Sequence, residues 1–273
     1  QVAHYVGSSD LLMLNAVVDI AGLNRISRTV LARAAQALAG MVRAPLPAAE
    51  AGDKPLVAAS MFGVTTPCVE RARAVLEAAG CEVLVFHATG SGGRTLEALA
   101  DSGVLAGVLD VTTTELADEL VGGVLSAGPE RVTAAGRRGV PQVVSVGALD
   151  MVNFHGLATV PDAFRARTLY KHNDNVTLLR TTPRECRELG RILGAKLAAA
   201  RGPTECFFPR GGISAIDRAG QPFDDPQARE ELLAGLRETL GAVPLYVRDA
   251  HVNDPAFAEE MARALLAAMR ARA

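Results

Sequence analysis

The chain has 273 residues, 49% of them hydrophobic but only 4% aromatic, with no Trp and a formal net charge of −2. That length buries a substantial aliphatic core in one large domain or two small ones, and the near-zero charge gives no electrostatic footing for nucleic acid or an anionic membrane. No apolar run approaches the roughly 20 residues that cross a bilayer, and the start lacks a secretory pattern, so the sequence reads as a soluble cytoplasmic protein.

The chain opens at Gln1 without Met, so an upstream segment is expected to have been removed. Short apolar runs at Leu11 to Leu14 and Val17-Val18 precede Asn24, an N-cap for a helix over 25–41 whose Ile26, Val30, Leu31, Leu38 and Met41 share one face. The proline-rich, unperiodic stretch that follows reads as a linker, so 1–54 is expected to be a connecting arm and 55–273 the main domain. From Pro55 strands and helices alternate. Strands are predicted at 56–61, 82–86, 107–111, 142–146, 205–208 and 245–248. Helices are predicted at 67–79, 94–100, 116–120, 183–200, 226–240 and 255–271, several opened by Pro at the first turn. The stretch between Gly147 and Pro183, with Arg165, Arg167, Tyr170, Lys171 and His172, reads as a long irregular insertion, a candidate lid or binding loop. Alternation of this kind implies right-handed crossovers and an α/β, doubly wound, mostly parallel sheet of Rossmann-like type with helices on both faces. The linker and the apolar opening further predict self-association or pairing with an upstream α/β domain.

Cys68, Cys81, Cys186 and Cys206 stand singly, without C-x-x-C or a His pair at ligand spacing, which argues against zinc and against a disulfide framework. Cys68 sits early in a predicted helix, where the dipole would lower its pKa. A small buried residue is the alternative.

In a parallel sheet, ligands bind beyond the carboxyl ends of the strands. Gly63, Thr65 and Thr66 follow the first strand, and His87, Thr89 and Gly90-Ser91-Gly92-Gly93 the second. Asp110, Thr112, Thr113, Thr114 and Glu115 close the third, and Gly147, Asp150 and Asn153 the fourth. Arg210, Gly211, Gly212 and Ser214 follow the fifth, and Asp249, His251, Asn253 and Asp254 the sixth. The glycine cluster leading into a helix offers backbone N–H groups and a positive dipole end to phosphate or carboxylate, although it is neither G-x-G-x-x-G nor a Walker A loop. Gly211-Gly212 offers the same. Thr65, Thr66, Thr89, Ser91, Thr112 and Thr113 add hydroxyls to that binding set. His87 and His251 are the acid/base candidates because imidazole titrates near neutral pH. Asp150, Glu115 or Asp249 would orient an imidazole or hold a hydrated Mg²⁺, and Arg210 would clamp an anion.

Seven strings carry a resemblance over essentially the whole chain. They are Tyr5-Val-Gly-Ser-Ser-Asp10, Val17-Val-Asp-Ile-Ala-Gly-Leu-Asn24, Gly63-Val-Thr-Thr-Pro-Cys68, Val85-Phe-His-Ala-Thr-Gly90, Leu109 to Leu120, Gly147 to Asn153 and Asp249 to Phe257. The sequence resembles the Tm-1-like ATP-binding family. The resemblance implies ATP as a ligand, an α/β domain upstream that contributes nucleotide contacts, and 63–68, 87–93, 112–115, 147–153 and 251–254 as site elements.

Three functions follow. The first is an ATP- or phosphate-ligand-binding protein, with an enzyme acting on a phosphorylated or carboxylate metabolite as its catalytic form. The second is a nucleotide-independent hydrolase or lyase, metal-assisted or acid/base, using His87, Asp150 and His251. The third is a non-catalytic interaction module, because the family's name-giving member acts by binding another protein.

Overall fold

The computed structural model describes residues 3–7, 9, 11–44 and 52–272. It divides into two units, Gln1–Asp53 and Lys54–Ala273. No helix among the described residues is long and apolar enough to cross a membrane.

The first unit holds α1 (Ala3–Val6) and α2 (Arg25–Arg43). Asn24 caps α2: its Oδ1 accepts from the Ile26 and Ser27 amides at 2.9 Å, and Ser27 Oγ accepts from the Asn24 amide at 2.8 Å. This reciprocal cap satisfies orphan donors of the first turn. Leu12, Leu14, Ile20, Leu31, Leu38 and Met41 are exposed. Of the linker expected between this unit and the main domain, residues 45–51 lie outside the described residues.

The second unit opens with β1 (Leu56–Met61), α3 (Thr66–Ala78), β2 (Glu82–His87), α4 (Ser91–Ser102) and β3 (Gly107–Thr112). It continues through α5 (Glu115–Val121), α6 (Ala134–Arg138), β4 (Gln142–Gly147), β5 (Met151–Phe154), β6 (Leu169–Asn173) and β7 (Val176–Arg180). It closes with α7 (Pro183–Ala198), β8 (Thr204–Pro209), α8 (Pro226–Thr239), β9 (Leu245–Arg248) and α9 (Pro255–Arg272). The main sheet has six strands in the order β2-β1-β3-β4-β8-β9, all parallel.

Side chains alternate across this sheet. Val57, Ala59, Leu109, Val111, Val143 and Phe207 pack with α3 and α9 on one face. Ala58 and Val108 meet α4 and α6 on the other, where Val144, Val146, Cys206 and Phe208 meet α5, α7 and α8. Both faces are apolar because both are covered by helices. The order reverses between β1 and β3, since the helix after β1 lies on one face and the helix after β3 on the other.

The expected irregular insertion is instead ordered. It contains a three-stranded antiparallel sheet, β5-β7-β6, with a hairpin turning at Asp174-Asn175. Met151 and Leu178 turn one face of it onto Val64, Ala148, Ile216 and Phe223.

Candidate functional site

The first turn of α4 begins where sequence reading placed its anion cradle, but a side chain of the protein already occupies half of it. Gly90, with φ of 83°, turns β2 into α4 in a conformation that favours glycine. The Gly90 and Gly93 amides both donate to Glu115 Oε1, at 2.7 and 3.0 Å. Glu115 Oε2 accepts from Arg131 Nε at 2.6 Å. Arg131, fully buried, also donates to both Asp110 oxygens, to the Thr112 carbonyl and to Glu97 Oε1. Asp110 in turn accepts from Ser60 Oγ at 2.6 Å. Asp110's carboxylate is therefore a partner of Arg131 in the core. Sequence reading missed Arg131, because a lone Arg after Pro129-Glu130 carries no local signal.

Gly92 has a packing role. A Cβ there would collide with the His87 carbonyl, and one at Gly93 with the Glu115 carboxylate. Of the four amides from Gly90 to Gly93, Glu115 takes two. Those of Ser91 and Gly92 belong to the helix's first turn, where no intrahelical partner exists. Beside them His87, Thr89 and Ser91 are exposed.

The strand ends further along the sheet are closed. At the reversal between β1 and β3, Thr65 Oγ1 and Thr112 Oγ1 bond each other at 2.7 Å, both fully buried. Thr113 Oγ1 donates to the Ser145 carbonyl, and Thr66 Oγ1 to that of Phe62. The Gly211 amide donates to the Ala250 carbonyl, and a Cβ at Gly212 would collide with the Asp217 carbonyl. These two glycines let β8, β9 and the loop after β8 approach one another. Arg210 lies 3.4 Å from Glu230 in an exposed ion pair.

Asp150 and His251 converge on Ser214 from two strands. Ser214 Oγ donates to Asp150 Oδ2 at 2.7 Å, and His251 Nε2 meets the Ser214 carbonyl at 2.8 Å. A carbonyl only accepts, so Nε2 carries the proton, and Nδ1 accepts from the Asn253 amide at 3.0 Å. Both ring nitrogens of His251 are thus committed. Asn253 links this group to Val64 and Cys68 through its Nδ2 and Oδ1. His87 is not part of the group: it ends β2, whereas Asp150 follows β4, three strand spacings or about 14 Å away.

Burial, with the Asp217 charge second, pushes Asp150 up to about 7, against the pull of Arg180 and the Ser214 hydroxyl. Burial likewise pushes Asp118 up to about 6, although it accepts from Asn153 and Leu125. For Cys68 the helix start does not win: full burial pushes its thiol well above the ordinary value, so the expected lowering is corrected. All four cysteines are buried and unpaired. Among the described residues no group of three His, Cys, Asp or Glu side chains is placed to hold a metal ion. In the hairpin His172 is exposed, and just before β6 Arg167 is held by Glu185 at 2.6 Å and by the Arg180 carbonyl.

Comparison with known proteins matches residues 54–269 to the C-terminal domain of an uncharacterised protein family, UPF0261, and residues 1–47 to that family's N-terminal domain. A UPF0261 protein of Clostridium tetani is 50% identical over 264 residues, covering 96% of this chain and 65% of that protein. The ToMV resistance protein Tm-1(GCR237) of Solanum lycopersicum is 41% identical over 273 residues, covering 97% of this chain and 36% of its own length. The chain thus spans somewhat less than two thirds of the bacterial relative. Among solved structures, the esterase domain of a Rhodothermus marinus protein is similar at 16% identity and a TM-score of 0.42, over 83% of this chain and 90% of that one.

Proposed function

The chain belongs to the uncharacterised protein family UPF0261, and on that premise we propose that it binds a small phosphate- or carboxylate-bearing ligand at the exposed first turn of α4. One observation carries this reading. Glu115 holds the Gly90 and Gly93 amides and leaves those of Ser91 and Gly92 beside exposed His87 and Thr89. The helix dipole favours an anion at that end. Because Glu115 already sits under the loop, a ligand of low charge, a carboxylate or monophosphate, suits the remaining half better than a triphosphate does. ATP, with or without Mg²⁺, is the comparison ligand that the family resemblance implies.

The acid/base alternative has less support. His87 stands apart from Asp150 and His251, and His251, whose Nε2 donates to Ser214 and whose Nδ1 accepts from Asn253, has no free lone pair to accept a proton from substrate. The interaction-module alternative is favoured by the exposed apolar side chains of Leu11 to Leu14 and along α2.

Calorimetric titration with inorganic phosphate, simple phosphoesters, carboxylates and ATP tests the reading, with amide chemical shifts followed in parallel. Saturable binding of a singly charged ligand that moves the Ser91 and Gly92 resonances is expected. His87→Ala should retain affinity to within about tenfold, roughly 1.4 kcal/mol, since the amides supply most of it. No saturable binding at millimolar ligand, or binding that leaves both resonances in place, would overturn it.

A further inference from the structure

The strand ends of β1 and β4 lie under a small apolar cap. Val64 after β1, Ala148 and Met151 around the β4–β5 turn, Leu178 on β7, and Ile216 and Phe223 in the loop after β8 pack together there. Near its base the hydroxyls of Thr65, Thr112 and Thr113 are fully buried, at the position where an open parallel sheet ordinarily receives a ligand.

One group at this base is left unsatisfied. Asp150 is fully buried, its Oδ2 accepts from Ser214 Oγ, and its Oδ1 has no partner. Its backbone carbonyl also anchors the cap, accepting from the Thr181 amide at 3.0 Å and from Arg180 Nη1 at 3.4 Å. Arg180 Nε donates to the Phe223 carbonyl, which ties the loop after β8 to β7.

The charges around it are already balanced without Asp150. Asp217 accepts from Arg180 at 3.3 Å and from Arg229 at 2.7 Å, and Arg229 also holds Asp224 at 3.0 Å. From α7, Cys186 faces Arg180 and Thr181, its thiol pushed up to about 11 by burial and therefore neutral. From the β9 side His251 Nε2 donates to the Ser214 carbonyl while its Nδ1 accepts from the Asn253 amide. Two guanidiniums face two carboxylates, so an ionised Asp150 adds a third negative charge, with a bare oxygen, at the buried base of the cap. Such a charge is strongly disfavoured unless water reaches it.

We propose that Asp150 is a proton-operated latch for this cap: neutral, it lies beneath the closed cap, and on releasing its proton to solvent it favours an opened state in which water reaches the carboxylate. Opening uncovers the threonine-lined strand ends. In the opened state the carboxyl returns toward its ordinary value of 3.8, while in the closed state it titrates at about 7. The opening equilibrium therefore rises with pH until about 7 and then levels, a gain of about tenfold between pH 6 and 8.

Hydrogen exchange of the full chain at pH 6, 7 and 8, corrected for intrinsic rates, tests this. Residues 176–181 and 213–223 should lose about tenfold in protection from pH 6 to 8, while β1 and β3 keep theirs. In Asp150→Asn, whose amide oxygen still accepts from Ser214 but cannot ionise, the pH dependence should vanish. Unchanged corrected protection of the cap in the parent protein, a loss shared equally by the core strands, or the same loss in Asp150→Asn would overturn the proposal. If Asp150→Asn does not fold, Ser214→Ala replaces it: losing the bond that favours the charged form should move the loss of protection to higher pH, and an unmoved profile is disproof. The experiment contains no ligand, so its failure leaves the binding reading at α4 untouched.

Discussion

Glu115 Oε1 accepts from the Gly93 amide at 3.0 Å, so a side chain 22 residues further along the chain fills, from within, half of the cradle that the glycine loop builds. The same oxygen takes the Gly90 amide, and the other oxygen of Glu115 is held by Arg131. The loop's geometry is thereby coupled to a buried ion network rather than left for a ligand to organise.

Removing the centre of that network should be severe. Arg131→Met leaves Asp110, Glu115 and Glu97 facing one another without a cation, and a loss of about 3–5 kcal/mol in urea denaturation is expected. Glu115→Gln should cost less than Glu115→Ala, because the amide oxygen still serves Gly90 and Gly93. Equal losses for these two variants would mean that the glycine amides do not depend on Glu115.

The loop glycines should behave as packing residues. Gly92→Ala and Gly93→Ala place a Cβ against the His87 carbonyl and the Glu115 carboxylate, so each should lower stability by about 1–3 kcal/mol or more. Gly63→Ala meets open space and should stay within about 0.5 kcal/mol of the parent. Thermal unfolding followed by circular dichroism compares the three, and a Gly92→Ala protein as stable as Gly63→Ala would contradict the close approach.

Asp118 makes a signed pH prediction. Its folded-state value is raised from 3.8 to about 6, so the folded chain binds the extra proton and this contribution to stability is lost as pH rises through that range. Asp118→Asn removes the titration, and Asn153, whose Oδ1 lacks a partner, can rotate its amide to accept from the new one. Relative to the parent, the variant should therefore gain about 2 kcal/mol between pH 4 and 7, the larger part of a full shift of about 3 kcal/mol at 1.36 kcal/mol per pKa unit. Parallel stability curves for the two proteins would exclude it.

The exposed apolar side chains of the first unit should show themselves in solution. Leu11 to Leu14, Leu38 and Met41 leave a surface that water covers poorly. Light scattering at tens of micromolar, typical of weak interfaces, should give a mass that rises with concentration for the whole chain and a constant monomer mass for residues 54–273. A clean monomer in both cases would remove the case for self-association.

Local pattern was enough to read the strand–helix alternation from Leu56 onward, the Asn24 cap and the parallel sheet, because period-2 and period-3.6 burial and first-turn capping depend on residues a few positions apart. The Asn173-Asp174-Asn175 turn was also a local hairpin signal, though the polar, exposed β6 hid its strand character. Placement of His87, the glycine loop and Asp150 at strand ends followed from the same alternation. Which of them meet did not. That Glu115 enters the glycine loop, that Arg131 joins three carboxylates, and that Asp150 and His251 share Ser214 while His87 stands strands away are consequences of sheet order and of loops folding back. Partners tens of residues apart leave no periodic trace in the chain, and only the packed tertiary structure decides whether a polar group finds one.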